Sequence, residues 1–389
     1  MNNFFNNNFH KSLLLGLVLL SGNIFAQEIK MEFASATQVS DFQSGIARIE
    51  SNNRVGFVDK KGNSVVSLRY ENAYDISEGF AAVQKNGKWG FIDKFGIEKI
   101  AFNYDEVLNF SQSMAAVRVG EKWGFVDAKG KLKITPQYEN VLSFTEGLAF
   151  VKKDSKWGVI DLKNNYVALP KFDKVESFSE GMACVAIENK YGFIDKKGIL
   201  IIPLKYKSAK SFSEGRAAIK TENKKWGFID KNDQLIVIDT FDEVDNFSEG
   251  IAVVRNERKW NLIDKEGNKL LKVDYDFIVG SSEGLFVVTV KRKFGVIDRT
   301  GKEVAPVKYD NILSFSEGMS RVSTAGKHGY IDKLGVEIIP LIYDEAYNFS
   351  DGMARVSIFG KTGFINKKGK EVFVETKPFS KGELTKLDK

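Results

Sequence analysis

Ten cations stand at one recurring position of this sequence: Arg54, Lys88, Lys122, Lys156, Lys190, Lys225, Lys259, Lys293, Lys327 and Lys361. Each directly precedes a slot that holds Trp89, Trp123, Trp157, Trp226 or Trp260, and elsewhere Val55, Tyr191, Phe294, His328 or Thr362. Two kinds of chemistry fit such a row. Left free, it is a basic stripe that attracts an anionic cell-envelope polymer or an acidic protein face. Alternatively each stem lies on an aromatic ring, or pairs with the Glu of a nearby Ser-Glu-Gly, and the row is structural. That Glu occurs at Glu78, Glu146, Glu180, Glu214, Glu249, Glu283 and Glu317, with Asp351 once and with Ser44 and Gln112 in its place in two units.

Other reactive residue types are sparse. Beyond residue 26 the only imidazole is His328, in a Trp slot, where packing accounts for it better than ligation. No Gly-x-Ser-x-Gly accompanies it, and no Gly-x-x-x-x-Gly-Lys-Ser/Thr loop offers phosphate binding. The series Asp59, Asp93, Asp127, Asp161, Asp195, Asp230, Asp264, Asp298 and Asp332 places one carboxylate per turn. Calcium needs several oxygens converging in one loop, so turn capping is the better account. A glycosidase needs a carboxylate pair, and no unit holds an acidic pair that breaks the repeat pattern. The single thiol, Cys184, lies in an apolar run and reads as a small buried hydrophobe. Nothing here implies a cofactor, a metal or catalytic residues. The Trp residues read as plugs between sheets, since Trp buries a large area and the Gly beside it admits a neighbouring backbone.

The elements that carry these residues are repeats. An aromatic recurs at Tyr70, Tyr104, Tyr138, Phe172, Tyr206, Phe241, Tyr275, Tyr309 and Tyr343, 34 residues apart except for one step of 35. Between aromatics each unit runs close to Phe-Ser-Glu-Gly-x-Ala-x-Val, then Lys-Trp-Gly-Phe-Ile-Asp-Lys-x-Gly, then Val-Ile-Pro. Gly-x-Ala-x-Val alternates with period two, Trp-Gly-Phe-Ile-Asp is rich in strand formers, and Asp-Lys-x-Gly is a turn. Val-Ile-Pro reads as a third strand that Pro ends, and Tyr-Asp-Glu-Val as a fourth. The expected fold is all-β: ten units of about 34 residues, each of three to four short antiparallel strands, stacked radially like a propeller as a wide ring or an open spiral. A cut-short eleventh unit, Phe379-Ser380-Lys381-Gly382, tilts the expectation toward a capped array.

The Lys-Trp-Gly-Phe-Ile-Asp-Lys core with its preceding Phe-Ser-Glu-Gly resembles the WG (KWG) repeat family of bacterial proteins. The resemblance covers about residues 36 to 376 and departs at five Trp slots, at Asn261 and at Asn366. It implies a β-rich repeat protein and supplies no catalytic residues.

The domain reading is then a signal peptide at 1–26, a lead-in at 27–35, ten repeats at 36–376 and the truncated eleventh at 377–389. Lys11, the apolar run Leu13 to Leu20 and Ala26 before Gln27 make a removable leader, too short to span a bilayer. The chain is expected outside the cytoplasm, in the periplasm, on the outer surface or secreted, with no transmembrane segment once the leader is removed. Without Lys11 the net charge is +5, too mild to argue for nucleic acid. The expected function is a non-catalytic scaffold binding a protein or an anionic cell-envelope polymer. The competing reading is a carbohydrate-active or other hydrolytic enzyme with its site in loops on one face.

Overall fold

A computed structural model describes residues 38–372. The leader and the eleventh unit lie outside the described residues. Over the described span, ten small antiparallel sheets follow one another, one per repeat, and the ring they form is a ten-bladed β-propeller.

Blade three shows the plan. Its strands Glu106–Val107, Met114–Val119, Lys122–Asp127 and Leu132–Tyr138 pair in sequence order. Both expected turn types form. In Ser-Glu-Gly, Glu78 and Gly79 have φ of 49° and 85°, the two positive values that a tight two-residue hairpin turn requires. In the second turn Asp127 Oδ1 accepts from the backbone N–H of Lys129 and of Lys131, each at 2.9 Å, which occupies the carboxylate locally. Glu is an unusual choice for a left-handed position.

Two boundaries differ from the sequence reading. The aromatic taken to open a unit closes the preceding sheet, because Tyr138 pairs across from Trp123 in the same blade. The strand expected to stop at Pro runs through it, as in Leu132–Tyr138 and Leu200–Tyr206. It is the edge strand of its blade, so the N–H that Pro lacks is not needed for a ladder.

The Gly after Trp is required by close approach. The third and fourth strands of blade three shift register between Trp123 and Phe125. A Cβ on Gly124 would lie 2.3 Å from the Ile134 carbonyl oxygen, and one on Gly90, Gly158 or Gly227 would lie 2.6, 2.8 or 2.5 Å from the equivalent oxygen. Blade seven shows what a side chain does there. Asn261 replaces the Gly, and only three strands form in that sheet. The Asn261 amide donates to the Leu271 and Val273 carbonyls, both at 3.2 Å, and its oxygen accepts from the Leu271 N–H, also at 3.2 Å. The side chain stands in for ladder bonds of the displaced fourth strand.

The core lies between blades. Met114, Ala116, Trp123, Phe125, Ile134 and Tyr138 of blade three pack on Val141, Phe144, Ala149, Val151 and Ile160 of blade four as one buried cluster. The ring closes the same way. Met353 and Phe364 of blade ten cluster with Val39, Phe42, Ala47, Ile49 and Val58 of blade one, with the Phe42 and Phe364 rings 4.5 Å apart. The described array therefore closes on itself, and blade one sits against blade ten as any blade sits against its neighbour.

Candidate functional site

The cation row is built into the blade joints. Lys88 Nζ lies 2.5 Å from Asp105 Oδ1, and the other oxygen of Asp105 accepts from the Gly120 N–H of blade three at 2.7 Å. Lys88 and that N–H hold the Asp105 carboxyl below its ordinary range. One carboxylate thus ties the third strand of one blade to the hairpin of the next. The arrangement recurs as Lys156–Asp173, Lys225–Asp242, Lys259–Asp276, Lys293–Asp310 and Lys327–Asp344. Lys207 replaces that Asp at one joint, and Glu222 of blade six then bridges Lys190 at 2.5 Å and Lys207 at 2.9 Å. Arg54 and Lys122 have no ion pair among the described residues; Glu71 and Glu139 hold the Asp position there and accept from Gly87 N at 2.8 Å and Ser155 N at 3.1 Å.

The Glu of Ser-Glu-Gly has a different partner from the one expected. It crosses to the next blade, where it meets the N–H groups of the equivalent turn and the Lys of Asp-Lys-x-Gly. Glu180 accepts from Gly215 N at 2.9 Å and lies 3.5 Å from Lys231; Glu214 accepts from Gly250 N at 2.8 Å and lies 3.1 Å from Lys265. Asp351 does the same across the closure, accepting from Gly45 N and lying 3.0 Å from Lys60. Beside it runs a serine tie: Ser77 donates to the Phe110 carbonyl at 2.9 Å, Ser111 to Phe144 at 2.8 Å, and Ser350 to Phe42 at 2.6 Å. The left-handed Glu is kept because its carboxylate reaches the neighbouring turn.

With these polar side chains engaged in joints, the seam is where the repeat breaks. One position of the second strand holds Ala82, Ala116, Phe150, Cys184, Ala218, Val253 and Val287, all buried. In blades nine, ten and one it holds Arg321, Arg355 and Arg48. The position before the Phe slot carries Asp only as Asp41 and Asp75. Of these, Arg48, Arg355, Asp41 and Asp75 meet around a cavity of about 590 Å³ at the closure, lined also by Gln43, Glu345, Tyr347 and Thr362, among others; Arg321 lies outside that lining and donates to Asn311 Oδ1. Thr362 stands in the Trp slot of blade ten, and the smaller side chain helps to leave the space. Arg48 Nε lies 3.5 Å from Asp75 Oδ1, and the Arg355 guanidinium lies over the Tyr347 ring at 3.4 Å from its centre. Burial pushes the Asp41 carboxyl above its ordinary range, with Arg355 opposing and Asp75 adding to the shift. The acidic pair that no single unit holds is thus formed between units one and two. Reading the units column by column exposes it, since Arg breaks an otherwise apolar column.

His328 sits half-buried opposite Tyr343, and burial, then Arg321, hold its pKa below the usual imidazole value. Cys184 is buried, and burial pushes its thiol up. Trp89 and Trp123 are buried at the joints, while Trp157, Trp226 and Trp260 are half-buried. No helix among the described residues is long and apolar enough to cross a membrane.

Fold and joints together define a repeat propeller held by polar ties between near-identical blades. The chain belongs to the family described as WG containing repeat, which matches at residues 56–89, 89–123, 123–157, 157–191, 191–224, 226–260, 262–293, 294–327 and 329–361. No curated protein matches it. Among solved structures it is similar to a eukaryotic initiation factor, at 12% identity and TM-score 0.52 over 76% of this chain and 96% of that one. Fainter likenesses are to the WD40 beta propeller domain of Doa1 (15% identity, TM-score 0.28, 58% of this chain and 94% of that one) and to PorZ of Porphyromonas gingivalis (10%, 0.29, 91% and 53%). The first likeness supports the fold and nothing beyond it.

Proposed function

We propose that this chain is an exported, non-catalytic scaffold that binds a partner protein. The observation that carries the reading is the fate of the cations: seven of the ten each lie within salt-bridge distance of a carboxylate. A neutralised row offers little to an anionic polymer. Exposed apolar side chains instead stand on the fourth strands, at Tyr166, Leu169, Leu200, Ile201, Leu235 and Ile238 of three consecutive blades and at Leu132, Ile338 and Ile342 elsewhere. Exposed apolar side chains on these edge strands fit protein contact. Near-uniform repeats with no inserted loop favour binding over catalysis.

The test is affinity capture from envelope extracts with purified protein, at low and high salt. Retention at high salt, lost in a Leu169→Glu/Ile201→Glu/Ile238→Glu variant that still folds, is the expected result. Capture released by salt and indifferent to that variant would overturn the partner assignment. Turnover of aryl glycosides that disappears in Asp41→Asn would overturn the non-catalytic one. Export is tested separately by N-terminal sequencing of the cell-free product, with Gln27 expected as the first residue.

A further inference from the structure

We propose that the cavity at the ring closure binds a small zwitterion, an amino acid or short peptide carrying both a carboxylate and an ammonium group. This goes beyond the scaffold reading, which concerns a macromolecular partner on the apolar fourth strands, and it stands or falls separately.

The first ground is size and place. At about 590 Å³ the cavity falls within the range of small-molecule sites. It lies where the chain departs from its own repeat: blades ten and one, whose Arg355 and Arg48 line it, carry Arg in a column that in seven other blades is buried and apolar. Packing the ring does not need that change, since the other blades close on Ala, Phe, Cys or Val.

The second ground is the state of the polar groups. A purely structural exchange would pair each Arg with its facing Asp and stop there. Instead Arg355 Nε and Asp41 Oδ1 are buried without a hydrogen-bond partner, and Arg48 Nε and Asp75 Oδ1 meet only as a long ion pair that makes no hydrogen bond. The Arg48–Asp75 contact is long, at 3.5 Å, and no carboxylate among the described residues lies within salt-bridge distance of Arg355. Buried polar groups are ordinarily satisfied, so donors and acceptors left open around one cavity are groups to which a ligand can supply partners.

The third ground is which partners are missing. Two guanidinium groups call for a carboxylate, which they grip through paired N–H donors. Asp41 and Asp75 are acceptors when ionised and call for N–H donors, which an ammonium group supplies with its charge. A simple anion such as phosphate would face Asp41, Asp75 and Glu345; a simple cation would face Arg48 and Arg355. A ligand with both charges meets both sets. A neutral sugar is less suited, because the Arg355 guanidinium covers one face of Tyr347, the aromatic ring of the lining.

The test is a thermal-shift screen of the folded chain against the common free L-amino acids and L-alanyl-L-alanine, followed by calorimetry. Inorganic phosphate, glucose, N-acetyl-L-alanine and L-alanine amide serve as comparison probes. The expected result is a rise in Tm with at least one zwitterion, since a ligand that binds only the folded state stabilises it. Forms of that ligand blocked at either charge should bind about tenfold more weakly or worse. Arg355→Gln and Asp41→Asn should each weaken binding by about tenfold or more, while Lys293→Gln, outside the cavity lining, should leave it unchanged. Thr362→Trp restores the residue of other blades and should abolish binding by filling the space, which keeps the test decisive if Arg355→Gln folds poorly. No shift with any zwitterion, preference for phosphate or glucose, or affinity untouched by all three cavity substitutions would overturn the proposal.

Discussion

The joint between blades three and four and the joint between blades ten and one share a frame but not a filling. In each, a Ser hydroxyl donates to the next blade's Phe carbonyl: Ser111 to Phe144 at 2.8 Å, and Ser350 to Phe42 at 2.6 Å. In each, a turn side chain crosses to a glycine N–H: Gln112 to Gly147 at 2.7 Å, and Asp351 to Gly45. In each, two Phe rings meet, Phe125 with Phe144 at 4.8 Å and Phe364 with Phe42 at 4.5 Å. Yet Ala116 and Ser143 at the first joint become Arg355 and Asp41 at the second, and a cavity opens. Backbone-directed ties specify the ring, which leaves side chains between them free to diverge where a site is wanted.

The largest effect should come from moving the seam's residue into the body. Ala116→Arg places a charge in the buried apolar cluster between blades three and four, and should cost about 3–5 kcal/mol by denaturant unfolding, the range for an uncompensated buried charge. Adding Ser143→Asp should recover part of it, with a coupling of about 0.5–3 kcal/mol. A neutral Ala116→Arg would show that the two joints do not differ as described.

Next in size is Gly124→Val. Its Cβ would meet the Ile134 carbonyl oxygen at 2.3 Å, and overpacking of this kind costs about 1–3 kcal/mol or more. The loss should spread to adjoining blades, because stability in arrays includes interface terms, and hydrogen exchange by blade would register it. Unchanged melting would mean the slot is open.

Ser350→Ala and Ser111→Ala should each cost about 0.5–1.5 kcal/mol, the ordinary worth of one intramolecular hydrogen bond. Their equality is the point. If Ser350→Ala were silent while Ser111→Ala was not, the closure joint would not be made like the others.

The two regions also titrate in opposite directions. Burial raises the Asp41 carboxyl above 3.8, while the turn hydrogen bonds, outweighing its desolvation, lower that of Asp127. Asp127 contributes stability above its unfolded pKa and loses it as pH falls through the lower folded value. Asp41 does the reverse: its folded state takes up a proton more readily, so its stabilising share is present at low pH and lost as pH rises through the raised value. NMR titration of the carboxyl carbons should place the Asp41 midpoint above that of Asp127; the opposite order would contradict the buried seam.

The smallest effect belongs to Lys88→Gln. Its pair with Asp105 is solvent-exposed, so melting should change within measurement error.

Much of this was readable from the sequence where the signal is local. Asp127 and Gly130 specify a turn within five residues, and Trp123-Gly124 announces a close backbone approach; both formed as read. The strand's run through Pro136 is not legible, because an edge strand forgives a missing N–H, and pairing rather than composition decides which strand is the edge. The carboxylate that Lys88 meets is not legible within a unit, because Asp105 lies across a blade boundary from it. Closure was not legible because it depends on small rotations accumulated over ten blades. The seam is not legible in any single unit, because Arg355 and Asp41 come from opposite ends of the chain.

The central claim is that blade ten closes on blade one, and zero-length carbodiimide crosslinking tests it directly. Lys60 Nζ and Asp351 Oδ1 are 3.0 Å apart although they stand near opposite ends of the described chain. Lys265–Glu214 at 3.1 Å and Lys367–Glu317 at 3.2 Å are equivalent pairs at ordinary joints and act as internal standards. On dilute monomer, peptide mass spectrometry should find the Lys60–Asp351 amide alongside these two. Recovery of both standards without Lys60–Asp351 would mean that the array stays open and that the seam does not exist.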